Sequence, residues 1–358
     1  MDLPARSPTT HVVLIDGTFA SLVPSQRSSI GRIHSALSGN WGPRPLRTRV
    51  YYAPGQQWLG WRRMPALTDG TEIEQHIVAA YDWLSRRWQD GDRVFLFGYS
   101  RGAFAVRSLA GLIGKVGLIR RAERSDAVRN EAWRLYRQIV PGSECSDFRR
   151  RHCHVATPIT FLGVFDTVMA LGIRLPLIWM LSQPRYRFHN LTLGDHVERG
   201  VQALAIDETR AAFQPILWSD KGAENRILQM WFRGTHPDIG GQLSGAEYAR
   251  PLANIPLHWM LEQAQISGLP LPEGWRDRVQ GDASAPSVGS WRGWGKAFIA
   301  RAPRIAGSEP TERLHPTVPV PYGGPGLLTG DLARYADDTH SIGVRRRKRR
   351  TPPDPDPA

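Results

Sequence analysis

The chain has 358 residues, 41% of them hydrophobic, and a formal net charge of +13. That length suits one large α/β domain or two smaller ones with a sizeable core, and the charge favours anionic partners: phospholipid surfaces, nucleic acid or acidic proteins. Two cysteines, Cys145 and Cys153, exclude a disulfide framework, and their x7 spacing excludes a zinc ribbon.

Six of the thirteen excess charges lie in Arg345–Arg350, which leaves +7 for the rest. Cysteine usage fits a reducing, cytoplasmic origin. The early apolar run Val12–Ile15 is too short for a signal peptide. The longest one, Val168–Leu181, contains Arg174 and Pro176 and falls short of the roughly 20 apolar residues a spanning helix needs. It reads as a buried helix, or as a loop or short helix at the mouth of a site, or as a membrane-surface contact.

In chain order, a strand is expected over His11–Ile15, ending at Asp16-Gly17-Thr18, and a second over Arg49–Ala53. A helix follows over Thr71–Gln89, because Ile73, Ile77, Tyr81, Leu84 and Trp88 fall on one helical face and Gly91 provides a stop. A strand over Arg93–Phe97 runs into Gly98-Tyr99-Ser100-Arg101-Gly102, and a helix runs from there to about Gly114. Another helix is expected over Asp126–Val140. Further strands are expected over Ile159–Phe165, Gln202–Ile206 and Ile227–Phe232. Strands that are apolar throughout, alternating with helices, predict a mostly parallel sheet covered on both faces. Composition divides the chain into a catalytic region 1–282, a Pro/Gly/Trp-rich extension 283–344 and a disordered basic, Pro-rich tail 345–358.

A serine between strand and helix in G-x-S-x-G is the setting of a nucleophile elbow. Gly98 and Gly102 are expected where strand and helix pass too closely for a side chain, and the helix start offers N–H groups to an oxyanion. A serine nucleophile needs a base and a carboxylate to orient it. His236, in Gly234-Thr235-His236-Pro237-Asp238-Ile239-Gly240-Gly241, follows a strand in a glycine-bounded loop and is the candidate base. Two acids end strands. Asp166 is favoured, with Thr167 as a supporting donor. Asp207, beside Glu208 and Arg210, is the alternative that strand counting prefers. The N–H of Arg101, with that of Gly17 or Thr18, is the expected oxyanion hole. Asp16 would stiffen that loop, and no second metal-type cluster supports a metal there.

Asp-Gly-Thr, Gly-Tyr-Ser-Arg-Gly-Ala, Gly-Val-Phe-Asp-Thr-Val, Ala-Ile-Asp-Glu and Gly-Thr-His-Pro-Asp-Ile-Gly-Gly occur in that order between about residues 11 and 250. This pattern resembles the α/β-hydrolase family that contains the catalytic domain of type VI secretion phospholipase effectors. The resemblance implies an α/β-hydrolase fold and a cofactor-free Ser-Asp-His esterase or phospholipase acting on lipid esters. Ser100 would be the nucleophile, His236 the base and Asp166 the acid. It also implies export without a signal peptide and a secretion-system or immunity partner, and the basic surface would hold such an enzyme on anionic membrane. Phe19 after the first motif, Met169 directly after the third and Gln242-Leu243 after the last depart from the family pattern and bear on pocket shape. The competing reading is a nucleic-acid or anionic-surface binding protein on a hydrolase-like scaffold. It rests on charge alone, since no nucleic-acid module is present.

Overall fold

A computed structural model describes residues 6–57, 71–138, 140–168, 192–219, 225–292, 295–296 and 298–333. Its centre is a sheet built from β1 (Thr10–Ile15), β2 (Thr48–Ala53), β3 (Arg93–Tyr99), β4 (Phe161–Phe165), β5 (Gly200–Ala205), β6 (Ile227–Phe232) and, after a two-residue strand β7 (Ile305–Ala306), β8 (Glu312–Leu314). The order is β2-β1-β3-β4-β5-β6-β8, and every neighbouring pair is parallel. All six expected strands are present, within two residues at each end. A parallel sheet needs a crossover for every strand, and helices supply most of them.

The helices are α1 (Ser29–Leu37), α2 (Thr71–Ser85), α3 (Arg101–Val116), α4 (Asp126–Arg137), α5 (Gly142–His152), α6 (His236–Gly240) and α7 (Arg250–Ile266). They cover both faces. Val13 and Ile15 of β1 and Leu96 of β3 point into a core with Ile77, Tyr81 and Leu84 of α2 and Val106 and Leu109 of α3. The alternate residues Val12, Leu14, Phe95 and Phe97 point into a second core with Ile30 and Ile33 of α1 and Leu257 and Met260 of α7. Each buried side chain of this size contributes about 1.5–3 kcal/mol, so β1 and β3 are fixed from both sides. α1 starts where Ser28 Oγ accepts the N–H groups of Ile30 and Gly31.

The extension lies against this body. β8 adds the seventh strand beside β6, and its Glu312 accepts the indole N–H of Trp231 at 2.5 Å. β7 pairs with β9 (Leu327–Leu328) in a separate two-stranded ladder. The basic tail 345–358 and all of Val168–Leu181 but its first residue lie outside the described residues. Cys145 and Cys153 are buried and unpaired, and burial pushes the Cys153 thiol up to about 12.

Candidate active site

In a parallel sheet all carboxyl ends meet at one edge, where open α/β sheets place their ligands. Ser100 leaves β3 at that edge with φ 57° and ψ −121°, a region costly for any residue with a side chain. The turn persists because its flanks close tightly. A Cβ at Gly98 would overlap the Gly102 carbonyl, and one at Gly102 would overlap the carbonyls of Ile15 and Asp16. Ser100 N–H donates to Phe165 O at 3.0 Å, which ties the elbow to the end of β4.

His236 lies past β6 and opens the short helix α6; it does not sit in an open loop. Thr235 caps that helix reciprocally with Asp238. The imidazole lies between the rings of Tyr99 and Phe213, each with its centroid 4.9 Å away. Its Nε2 is 2.9 Å from Ser100 Oγ and its Nδ1 is 2.5 Å from Asp166 Oδ2. With Nδ1–H donating to the carboxylate, Nε2 is left to accept the serine hydrogen. Ser100, His236 and Asp166 are all buried.

Asp166, just past β4, also has a positive φ, 45°. Ala205 N–H and Arg304 Nη1 donate to its Oδ1, at 3.1 and 2.6 Å, and Arg304 Nη2 donates to Oδ2 at 2.9 Å. Burial pushes this carboxyl up. Arg304 and His236 outweigh that and hold it well below the usual carboxylate range. Burial lowers His236 below its ordinary value, with Asp166 pulling the other way. Glu208 accepts the His236 backbone N–H at 3.1 Å and is itself paired with Arg210 at 2.6 Å.

Of the two expected acids, the structure brings Asp166 to the histidine. Asp207 sits two residues past β5, where it accepts from Gly234 N–H at 2.7 Å and Tyr322 OH at 2.6 Å. Thr167 does not support Asp166; its hydroxyl donates to Gln202 at 2.7 Å. Asp16 stiffens its loop as expected, accepting from Gly17 N–H, Ser28 Oγ and Tyr52 OH at 2.8, 2.6 and 2.9 Å. That commits the Gly17 N–H, so the expectation that it serves an oxyanion is corrected. Thr18 N–H has no acceptor among the described residues. Arg101 joins the two loops, its Nε donating to Thr18 Oγ1 at 2.6 Å and its Nη2 to Gln56 at 2.9 Å. Arg304 and Phe213 belong to no local motif and carry no signal in the sequence; Glu208 lies in the Ala-Ile-Asp-Glu motif, but its role as an anchor for the histidine backbone depends on a contact 28 residues away.

An all-parallel sheet flanked by helices, with a strained serine on the turn from its interior strand β3, is the α/β-hydrolase architecture. The chain belongs to the family described as T6SS phospholipase effector, Tle1-like, catalytic domain, which matches residues 9–263. It is similar to the uncharacterised protein YEL023C of Saccharomyces cerevisiae, 25% identical over 234 residues that take in 58% of this chain and 32% of that protein. The chain therefore spans about a third of the length of that curated relative. Among solved structures it is similar to an uncharacterised protein from Pseudomonas aeruginosa, with 19% identity, a TM-score of 0.42, and 75% of this chain and 47% of the other covered. It is also similar to the Tle1 effector bound to the VgrG spike of the type 6 secretion system, with 17% identity, a TM-score of 0.36, and 66% and 52% covered. No described helix is long and apolar enough to cross a membrane.

Proposed function

We propose that this chain is a serine hydrolase of lipid ester bonds, with phospholipids as the first substrates to test. The observation that carries the reading is the hydrogen-bonded run from Ser100 Oγ through His236 to Asp166, at 2.9 and 2.5 Å, on a serine held in a strained turn. His236 Nε2 takes the hydroxyl proton as Ser100 Oγ attacks the ester carbonyl, and Asp166 stabilises the imidazolium that forms. The N–H of Arg101, first in α3, and the N–H of Thr18 hold the oxyanion. His236 then returns the proton to the departing alcohol. Water attacks the acyl-enzyme by the same route.

The basic surface serves this reaction by holding the protein on anionic lipid. Arg49, Arg86, Arg87, Arg121 and Arg124 line a cavity of about 380 Å³. It lies by the starts of β2 and β3, away from Ser100, which suits an accessory contact better than a separate binding function. Family membership supports export without a signal peptide through a type 6 secretion system, with a partner from that system.

The test is hydrolysis of short-chain nitrophenyl esters and of mixed phospholipid vesicles by wild type and Ser100→Ala. We expect the variant to lose about 10⁴-fold or more in kcat on both substrates with an unchanged circular dichroism spectrum. Equal activity in the two proteins would overturn the reading.

A further inference from the structure

We propose that Arg304 is a positioning residue for the Ser100–His236–Asp166 reaction: it locks the carboxylate that orients the base and sets how basic His236 is. The inference rests on the hydrolase reading above. It concerns a residue outside the family match, which ends at residue 263, so the extension completes the site.

Arg304 is 1% exposed and lies just ahead of β7. Its two terminal nitrogens grip both oxygens of Asp166, and their remaining hydrogens go to carbonyls, Nη1 to Ala205 O at 2.8 Å and Nη2 to Phe213 O at 2.5 Å. Nε has no partner among the described residues. The backbone is held as well, since Leu327 N–H donates to Arg304 O at 2.8 Å, which ties the residue to β9. A guanidinium removed from water is expensive to hold and persists only against an anion in good geometry. Here the anion is the one that His236 Nδ1 also uses.

With Arg304 and Ala205 N–H on Oδ1, and Arg304 and His236 on Oδ2, both carboxylate oxygens are doubly engaged and the plane of the group is fixed. A fixed plane fixes the imidazole and so the line from Nε2 to Ser100 Oγ. The charge acts too. The titratable and charged groups around the imidazole are Ser100, Tyr99, Asp166, Glu208, Arg210 and Arg304. Arg304 offsets part of the attraction Asp166 exerts on a proton at His236, so the base stays neutral to lower pH. It also keeps the buried Asp166 ionised. Losing it acts in one direction through both routes, because Asp166 would protonate more readily and His236 would hold its proton more tightly. Each shifts the onset of activity to higher pH.

The experiment compares full-length wild type, Arg304→Met and Arg304→Lys. It reads kcat and KM on a nitrophenyl ester against pH and, in a Ser100→Ala background, the His236 imidazole titration by NMR. For Arg304→Met we expect kcat at pH 7 to fall about 10–100-fold with KM within about twofold. The acid limb and the NMR midpoint should both rise by about one pH unit. Arg304→Lys, a point charge without the fork, should recover part of the midpoint and less of kcat. If Arg304→Met does not fold, Arg304→Lys alone carries the comparison. A fall in kcat with the acid limb and NMR midpoint unmoved would overturn the proposal, leaving Arg304 a packing residue. The hydrolase reading fails separately, if Ser100→Ala hydrolyses esters as well as wild type, and the NMR midpoint judges Arg304 in either case.

Discussion

The two ends of the sheet carry the same three residue types in the same contact. At the carboxyl edge Asp166 receives His236 and Arg304. At the amino edge Asp92 receives His11 Nε2 at 2.9 Å and Arg6 at 2.6 Å, together with the N–H groups of Thr9 and Gln89 at 2.8 and 3.1 Å. Both histidines are buried and lowered by burial, and both aspartates are held low by their donors against the pull of burial. The difference lies on the far side of each ring. His236 meets a serine hydroxyl in a strained turn, whereas His11 Nδ1 has no partner among the described residues and its ring stands edge-on to Trp83 at 5.8 Å. An Arg-Asp-His contact is thus not itself a site. It is a way to hold a buried histidine still, and on the proposed mechanism chemistry begins only where the second nitrogen faces the serine.

The largest effect should separate the two ends by activity. Asp166→Asn keeps the shape but removes the charge that sets the tautomer and stabilises the imidazolium, and kcat should fall about 10⁴-fold. Asp92→Asn should leave kcat within about threefold, measured on the same ester. A comparable loss from Asp92→Asn would break the contrast and implicate the amino edge in the reaction.

Stability should order the two ends differently. Asp92→Ala strands a buried histidine and two backbone N–H groups, and should cost about 2–4 kcal/mol by urea midpoint. The wild-type contribution has a definite pH dependence. Asp92 lies below its ordinary value in the folded chain, so its stabilisation is present above about pH 4 and lost as pH falls through the lower folded value. Asp92→Ala should flatten that acid limb of stability. The acid limb of kcat/KM should belong to the other end. It reports neutral His236, which burial lowers, so its midpoint should fall below about 6.5.

How far the site was legible follows from how local its signals are. Ser100 could be read because strand, glycine, serine, glycine and helix are consecutive, and His236 because its glycines and Asp-Ile flank it within eight residues. The choice between Asp166 and Asp207 was not decided in the sequence, because both follow apolar strands. The contacts that distinguish them are long-range: Asp166 meets His236, whereas Gly234 N–H and Tyr322 OH occupy Asp207, and Tyr322 lies 115 residues further on. Arg304 is reached across 138 residues from Asp166, with no periodicity to announce it. Helix α7 was hidden by Pro251 at its first turn and Pro256 within it, which read as breakers. Strand β8 is three residues long and shows no pattern. The missing pieces are those that tertiary contact alone defines.

The smallest effect sharpens the comparison within the carboxyl edge itself. Asp16 and Asp166 end neighbouring regions of one edge, and both are buried, yet only Asp166 has a cation. Asp16 has three neutral donors, Gly17 N–H, Ser28 Oγ and Tyr52 OH, and burial outweighs them, pushing its carboxyl up to about 7. A carboxyl raised in the folded chain holds its proton where the unfolded chain has lost it. Between about pH 4 and 7 the folded state therefore binds more protons, and its stability falls as pH rises through that window. Asp16→Asn keeps the Gly17 N–H and Ser28 bonds on its carbonyl, reverses the Tyr52 contact so that its amide donates to the hydroxyl, and cannot ionise. Stability of the variant should lose that slope, matching wild type near pH 4 and exceeding it near pH 8, with kcat changed by less than about fivefold since Thr18 N–H and the elbow are untouched. Parallel curves for the two proteins across the window would mean that Asp16 is ionised throughout. Hydrogen bonds from neutral groups would then be enough to hold a buried carboxylate at this edge, and the cation on Asp166 would be needed for the histidine rather than for the charge.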